Sequence, residues 1–162
     1  MGNKIVRSVA PKTIFADAYA LTSTTADFEQ CDLMVYDATT KKIIKPAAEA
    51  DCATFLGVAQ VAVVDGKIKS PYQGTAVDAA QAIGALPGPV YGVEVKLVLK
   101  TGDALNPGDL VYADPASGAR HVQAAGTKAI GVYQGAAIAS AVAGQEIIVL
   151  VGARYPLDTL KF

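Results

Sequence analysis

The sequence contains a degenerate copy of itself. Asp32-Leu33-Met34-Val35-Tyr36-Asp37 leads through Lys41-Lys42-Ile43-Ile44 to Gly57-Val58-Ala59-Gln60, and Asp109-Leu110-Val111-Tyr112-Ala113-Asp114 leads through Ala119-Arg120-His121-Val122 to Gly131-Val132-Tyr133-Gln134. Each copy reads as strand, turn, strand, loop and longer strand, the order from which small β-domains are assembled. Neither copy carries a reactive constellation. What repeats is scaffold, so the pattern points to a structural or binding protein before an enzyme.

A hydrophobic content of 52% in 162 residues is enough for one domain with a real core. That core is built from Ala, Val, Ile and Leu, because Trp is absent and aromatics make up only 7%. Val and Ile favour strands. The reading is a mainly β chain, a compact β-barrel or β-tulip-like domain with one or two short helices and extended terminal arms. Its expected parts are an N-terminal arm over 1–20, a single β-domain over 21–153 with the repeat at about 32–60 and 109–134, and a tail over 154–162.

Fourteen basic against fifteen acidic residues give a net charge of -1, which supplies no general pull toward nucleic acid. No apolar core of a signal peptide stands at the N-terminus, where Lys4, Arg7, Lys12 and Asp17 interrupt it, so synthesis in the cytoplasm is expected. The longest uncharged run, Ala129 to Gln145, contains Gln134, Ser140 and Gly131, Gly135 and Gly144, which argues against a membrane span. Cys31 and Cys52 lack a CxxC partner and read as buried free thiols.

Asn3 to Val9 alternates like a strand and is broken by Pro11. Two accounts stay open: an extended basic arm that adds to another protein's sheet edge, or the first strand of the domain itself. Between the repeats, Thr75-Ala76-Val77-Asp78 has a capping-box spacing, Ala79, Ala80 and Ile83 continue a helical face, and Gly84 can end it, which predicts one short helix. Leu86-Pro87-Gly88-Pro89 reads as a turn. Val90 to Leu99 reads as a strand, and Asp114 to Gly118 as a hairpin tip. Ile147-Ile148-Val149-Leu150-Val151 is apolar on both faces, which places it mid-core or in a subunit interface.

Few residues of the chain are candidates for chemistry. His121 is the only histidine and reads as an exposed or edge-strand residue, with no GxSxG, HExxH or phosphate loop to accompany it. Asp103 with Asp109, and Asp37 with Glu49 or Asp51, are acid pairs of the kind that can run hydrolysis. Asp beside Gly and Pro more often holds its own turn. No cofactor and no metal is expected. Tyr72 and Tyr91 are the only loop-side aromatics that a carbohydrate-binding module could use.

From Thr101-Gly102-Asp103-Ala104-Leu105-Asn106-Pro107-Gly108-Asp109, through Gly131-Val132 and the small residues Ala136 to Ala143, to Gly144-Gln145-Glu146, Val149, Val151 and Gly152, the chain resembles the capsid cement or head-decoration proteins of tailed bacteriophages. The resemblance covers about fifty residues. It departs in the first half, where Cys31 replaces the turn glycine and Asp65-Gly66-Lys67 stands in place of the Ala-rich strand, and in the inserted Ser70 to Gly92 segment. The resemblance implies a non-enzymatic β-domain, commonly trimeric, on the outer face of an icosahedral virion, bridging major capsid proteins. The expected partners are therefore the major capsid protein and the chain itself. Shell contact is expected from Lys4, Ile5, Val6, Arg7 and Val9, and self-association from Ile147, Ile148, Val149, Leu150 and Val151. A hydrolase using the loop acids and a carbohydrate-binding surface module are the alternatives.

Overall fold

A computed structural model describes residues 5–13, 20–21, 28–40, 42–59, 62–64, 67–69, 77–78 and 90–152. Among the described residues the β-branched runs and their turns become thirteen strands: β1 (Ile5–Thr13), β2 (Ala20–Leu21), β3 (Leu33–Asp37), β4 (Lys42–Ile44), β5 (Phe55–Val58), β6 (Ala62–Val64), β7 (Lys67–Lys69), β8 (Val77–Asp78), β9 (Val90–Leu99), β10 (Leu110–Ala113), β11 (His121–Gln123), β12 (Ala129–Tyr133) and β13 (Glu146–Val151). A single 3-10 helix, Glu49–Thr54, is the helix among the described residues. The chain is mainly β, with 45% strand and 6% helix.

Five strands close a barrel. β13 lies between β12 and β9, β12 pairs β10, and β10 pairs β11. β11 then returns to β9 in parallel, through His121↔Val98 and Val122↔Leu99. Closure leaves no free edge in that ring. Val95, Leu97, Leu99, Val111, Val122, Ile130, Ile147, Val149 and Val151 fill it, all nearly inaccessible to solvent. Each such side chain gains about 1.5–3 kcal/mol from leaving water. Gly131 is required where β12 meets β13, because a Cβ there would come within 2.5 Å of Val149 Cγ1 and 2.6 Å of the Leu150 carbonyl oxygen.

The repeat is a structural one. Leu33↔Val58 and Met34↔Gly57 in the β3–β5 ladder correspond to Leu110↔Val132 and Val111↔Gly131 in the β10–β12 ladder, and both ladders slip at the next pair. The extra residue is Leu56 in one and Ile130 in the other, a bulge that turns two neighbours to one face. The correspondence reaches further upstream than the sequence shows. β2 pairs β4 in parallel through Ala20↔Lys42 and Leu21↔Ile43, as the end of β9 pairs β11.

β9 joins the two modules. Its first half pairs with β5 and with β1, and its second half with β13 and β11. One ten-residue strand thus ends the first module and begins the second. β6, β7 and β8 form a separate three-stranded sheet in the stretch between β5 and β9.

Three sequence expectations change. The Ile5–Thr13 segment lies antiparallel on β9, with Ile5↔Val95, Arg7↔Glu94 and Thr13↔Val90, so it is the first strand of the chain's own sheet. Lys4 lies outside the described residues. Val77–Asp78, read as the start of a helix, is strand β8 against β7, since cross-strand pairing with Ile68 and Lys67 overrides a weak local signal. The rest of that helix, the Leu86–Pro89 turn and the 154–162 tail lie outside the described residues. Tyr91, offered as a loop-side aromatic, sits within β9, and Tyr72 lies outside the described residues. The Val90–Leu99 strand and the turn after β10 stand where the sequence put them.

Candidate functional site

The loop carboxylates that sequence offered as acids are tied to backbone amides. Asp109 Oδ2 accepts the Asn106 N–H at 2.7 Å. Asp103 Oδ2 accepts the Ala124 N–H at 2.7 Å, and so joins two loops of the barrel. Asp37 accepts the Thr39 N–H at 2.9 Å and the Thr40 hydroxyl at 2.5 Å. Asp51 Oδ2 accepts both the Ala47 and Ala48 N–H groups at 2.9 Å. The bonds of Asp109, Asp37 and Asp51 are local and hold turns, the ordinary use of Asp at such positions, whereas Asp103, also read as holding its own turn, ties that turn to the segment after β11 instead. The hydroxyls of Thr40 and Thr39 and their amides hold the Asp37 carboxyl below its usual value.

Glu49 has a role that no sequence signal marks. Its Oε1 accepts the Thr127 N–H at 2.5 Å and the Lys128 N–H at 3.0 Å, from the loop of the other module. One carboxylate on the 3-10 helix therefore clamps first module to second. Two consecutive amides aimed at one oxygen make an anion-holding concavity, filled here by the chain itself.

Asp32 is the buried counterpart of Asp109. It accepts the Glu29 N–H at 2.8 Å and lies 3.6 Å from Lys45 Nζ, whose ammonium also stands 5.7 Å from the Phe28 ring centroid. Burial pushes the Asp32 carboxyl above its usual value, against the opposing pull of the Glu29 amide and of Lys45. Desolvation outweighs a half-exposed ammonium at that distance.

His121 is not on an edge. It sits on the strand that closes the barrel, half-buried between β10 and β9, beside a cavity of about 330 Å³ lined by Val98, Leu99, Lys100, Thr101, Ser117 and Gly144. Its Nδ1 is buried without a partner among the described residues and abuts Gly118, where a Cβ would come within 2.3 Å of it. Ser117, His121 and Asp114 supply the residue types of a nucleophilic triad. Their connections are different: Ser117 Oγ donates to Asp114 Oδ2 at 2.6 Å, and Nδ1, the atom a triad carboxylate would hold, faces a glycine.

Neither cysteine is paired, and both are fully buried. Among the described residues no group of three His, Cys, Asp or Glu side chains is placed to hold a metal ion. No helix among them is long and apolar enough to cross a membrane.

No family model matches the chain, and no curated protein matches it.

The two groups of residues expected to make contacts lie on different strands. Ile5, Val6, Arg7 and Val9 are on β1, hydrogen-bonded along β9. Ile147, Val149 and Val151 point into the barrel, while Ile148 and Leu150 remain half-buried on its outer wall. A run apolar on both faces is thus divided between core and surface. Leu110, 39% exposed on the same wall, is a surface residue that sequence reasoning passed over.

Proposed function

We propose that this chain is a non-enzymatic capsid decoration protein that binds the outer surface of an icosahedral phage head and bridges its major capsid proteins. One observation carries the reading. Every residue of the resemblance, from Thr101 to Gly152, belongs to one closed barrel and its loops, and the chain repeats the pairings of that barrel in its first half.

The chemistry of such a role is that of a rigid contact surface. Carboxylates spent on turns and a clamp fix the loops, and a net charge of -1 leaves binding to shape and apolar contact rather than to long-range attraction. Repeated copies on one shell convert modest individual contacts into tight attachment. Ile5, Val6, Arg7 and Val9 remain candidates for shell contact, with their strand already engaged on β9.

The test is electron microscopy and co-sedimentation of purified protein with phage heads that lack outer proteins. The proposal expects regular protrusions at lattice positions and saturable pelleting with the heads. Heads that stay bare at saturating protein would overturn it.

A further inference from the structure

The two copies bury the same wall in different ways. Leu33 corresponds to Leu110 and Val58 to Val132, because each leucine faces its valine directly across the ladder, just before the shared bulge. Leu33 and Val58 are 0% exposed. They share a packed cluster with residues of the barrel, such as Val95 and Leu97, and the Leu33 amide donates to the Ala119 carbonyl at 2.9 Å. The first module's wall is thus buried within the chain's common core, with the turn between β10 and β11 bonded directly to it.

The barrel's own wall has no such cover among the described residues. Leu110 is 39% exposed, and Val132, Leu150 and Ile148 are half-buried. Leu110, Val132 and Leu150 are successive cross-strand partners, so they form one continuous stripe. Apolar stripes of this kind on an otherwise polar surface mark contact sites.

We propose that the Leu110–Val132–Leu150 stripe is a docking surface for a second copy of this chain, seated head to tail. The internal duplicate identifies the occupant, since the corresponding wall is covered by a module of this same chain. Repeating that contact between copies presents the next chain's turn between β3 and β4, the counterpart of the turn that carries Ala119. Ala38, Thr39 and Thr40 in that turn are exposed. A heterologous contact repeated from copy to copy gives a ring where the rotation closes and an open filament where it does not. The docking surface follows from the duplication alone, so its test needs no phage heads and is independent of the capsid reading.

The experiment is sedimentation velocity across a concentration series on the full chain, Leu110→Glu, Leu110→Ser and Val142→Glu, with a thermal melt of each. Val142 is 67% exposed and lies off the stripe, so its variant is the control. The wild type and Val142→Glu are expected to self-associate, and both Leu110 variants to do so about tenfold more weakly or worse, with melting unchanged. Should Leu110→Glu fail to fold, Leu110→Ser carries the comparison. A wild type that stays monomeric throughout overturns the proposal, as do Leu110 variants that assemble like the wild type. Thr39→Trp is expected to weaken assembly too; if it does not while the Leu110 variants do, the head-to-tail seating is wrong.

Discussion

Cys31 and Gly108 occupy the same position in two copies of one turn, and both have left-handed backbones, with φ of 72° and 90°. The Cys31 N–H donates to Ala59 and the Gly108 N–H to Tyr133, at 2.8 and 2.9 Å. Each is followed by an aspartate that accepts an N–H three residues back. The turn demands the conformation, and a non-glycine residue meets that demand at a cost of roughly 1 kcal/mol. Cys31→Gly should therefore melt no lower than Cys31→Ala, although Ala preserves more of the buried side chain. Gly108→Ala, with open space around its Cβ, should lose about 1 kcal/mol through backbone strain alone. Chemical denaturation of the three variants checks both rankings.

Asp32 and Asp37 are expected to titrate on opposite sides of the ordinary Asp value of 3.8. Asp37, held low by hydrogen bonds, adds stability above its unfolded pKa, and that contribution is lost as pH falls through the lower folded value. Asp32, raised by burial, works the other way: its favourable term is present below the unfolded pKa and lost as pH rises through the folded value. Carbon-detected NMR titration should order them, with Asp37 below and Asp32 above. Asp32→Asn keeps an acceptor for the Glu29 amide and removes a buried charge, so it should be tolerated better at pH 7 than Asp109→Asn, which is expected to cost about 0.5–1 kcal/mol. The reverse order in urea melts would contradict the desolvation account.

The Cys52 thiol is pushed up to about 12, by burial first and then by Asp51 and Glu49. Thiolate is the reactive species. Native protein at pH 8 should give no fast reaction with a thiol reagent at Cys52, and both cysteines should react once the chain is unfolded. Rapid native labelling at residue 52, located by peptide mass mapping, would show that the thiol is accessible after all.

Glu49→Ala removes the acceptor for two amides of the other module. Hydrogen bonds to a charged group are worth about 1.5–3 kcal/mol, and the half-exposed position favours the low end. The expected result is a modest drop in stability, with faster amide exchange at Thr127 and Lys128 while the barrel strands stay protected. Glu49→Gln, which keeps one acceptor, should recover part of the loss. Unchanged exchange at both amides would remove the clamp from the picture.

Deleting residues 5–13 strips β1 from β9 and leaves the first half of that strand with one unpaired edge. Exposed edges recruit other chains. The truncated protein should melt lower and aggregate on heating. A truncated chain that melts normally would mean that β1 contributes little to the sheet.

Much of this protein was legible in its sequence because repeats and alternation are local properties. Asp-Leu starts, Gly-Val ladders and Pro-Gly-Asp turns gave the β class, the duplication and the Val90–Leu99 strand, since side-chain period and turn chemistry need only neighbouring residues. They also gave the turn role of Asp109, which bonds an amide three residues away. What the sequence could not give depends on pairings between distant residues. The β2–β4 and β9–β11 pairings extend the repeat upstream through positions whose side chains do not match, such as Lys42 and His121. Val77–Asp78 became strand because β7 lay beside it. Leu33 and Leu110 are the same residue in the same local pattern, yet one is sealed and the other exposed. Only the packing of the first module against the rest of the chain decides that, because burial is a property of what lies across the gap and not of the residue.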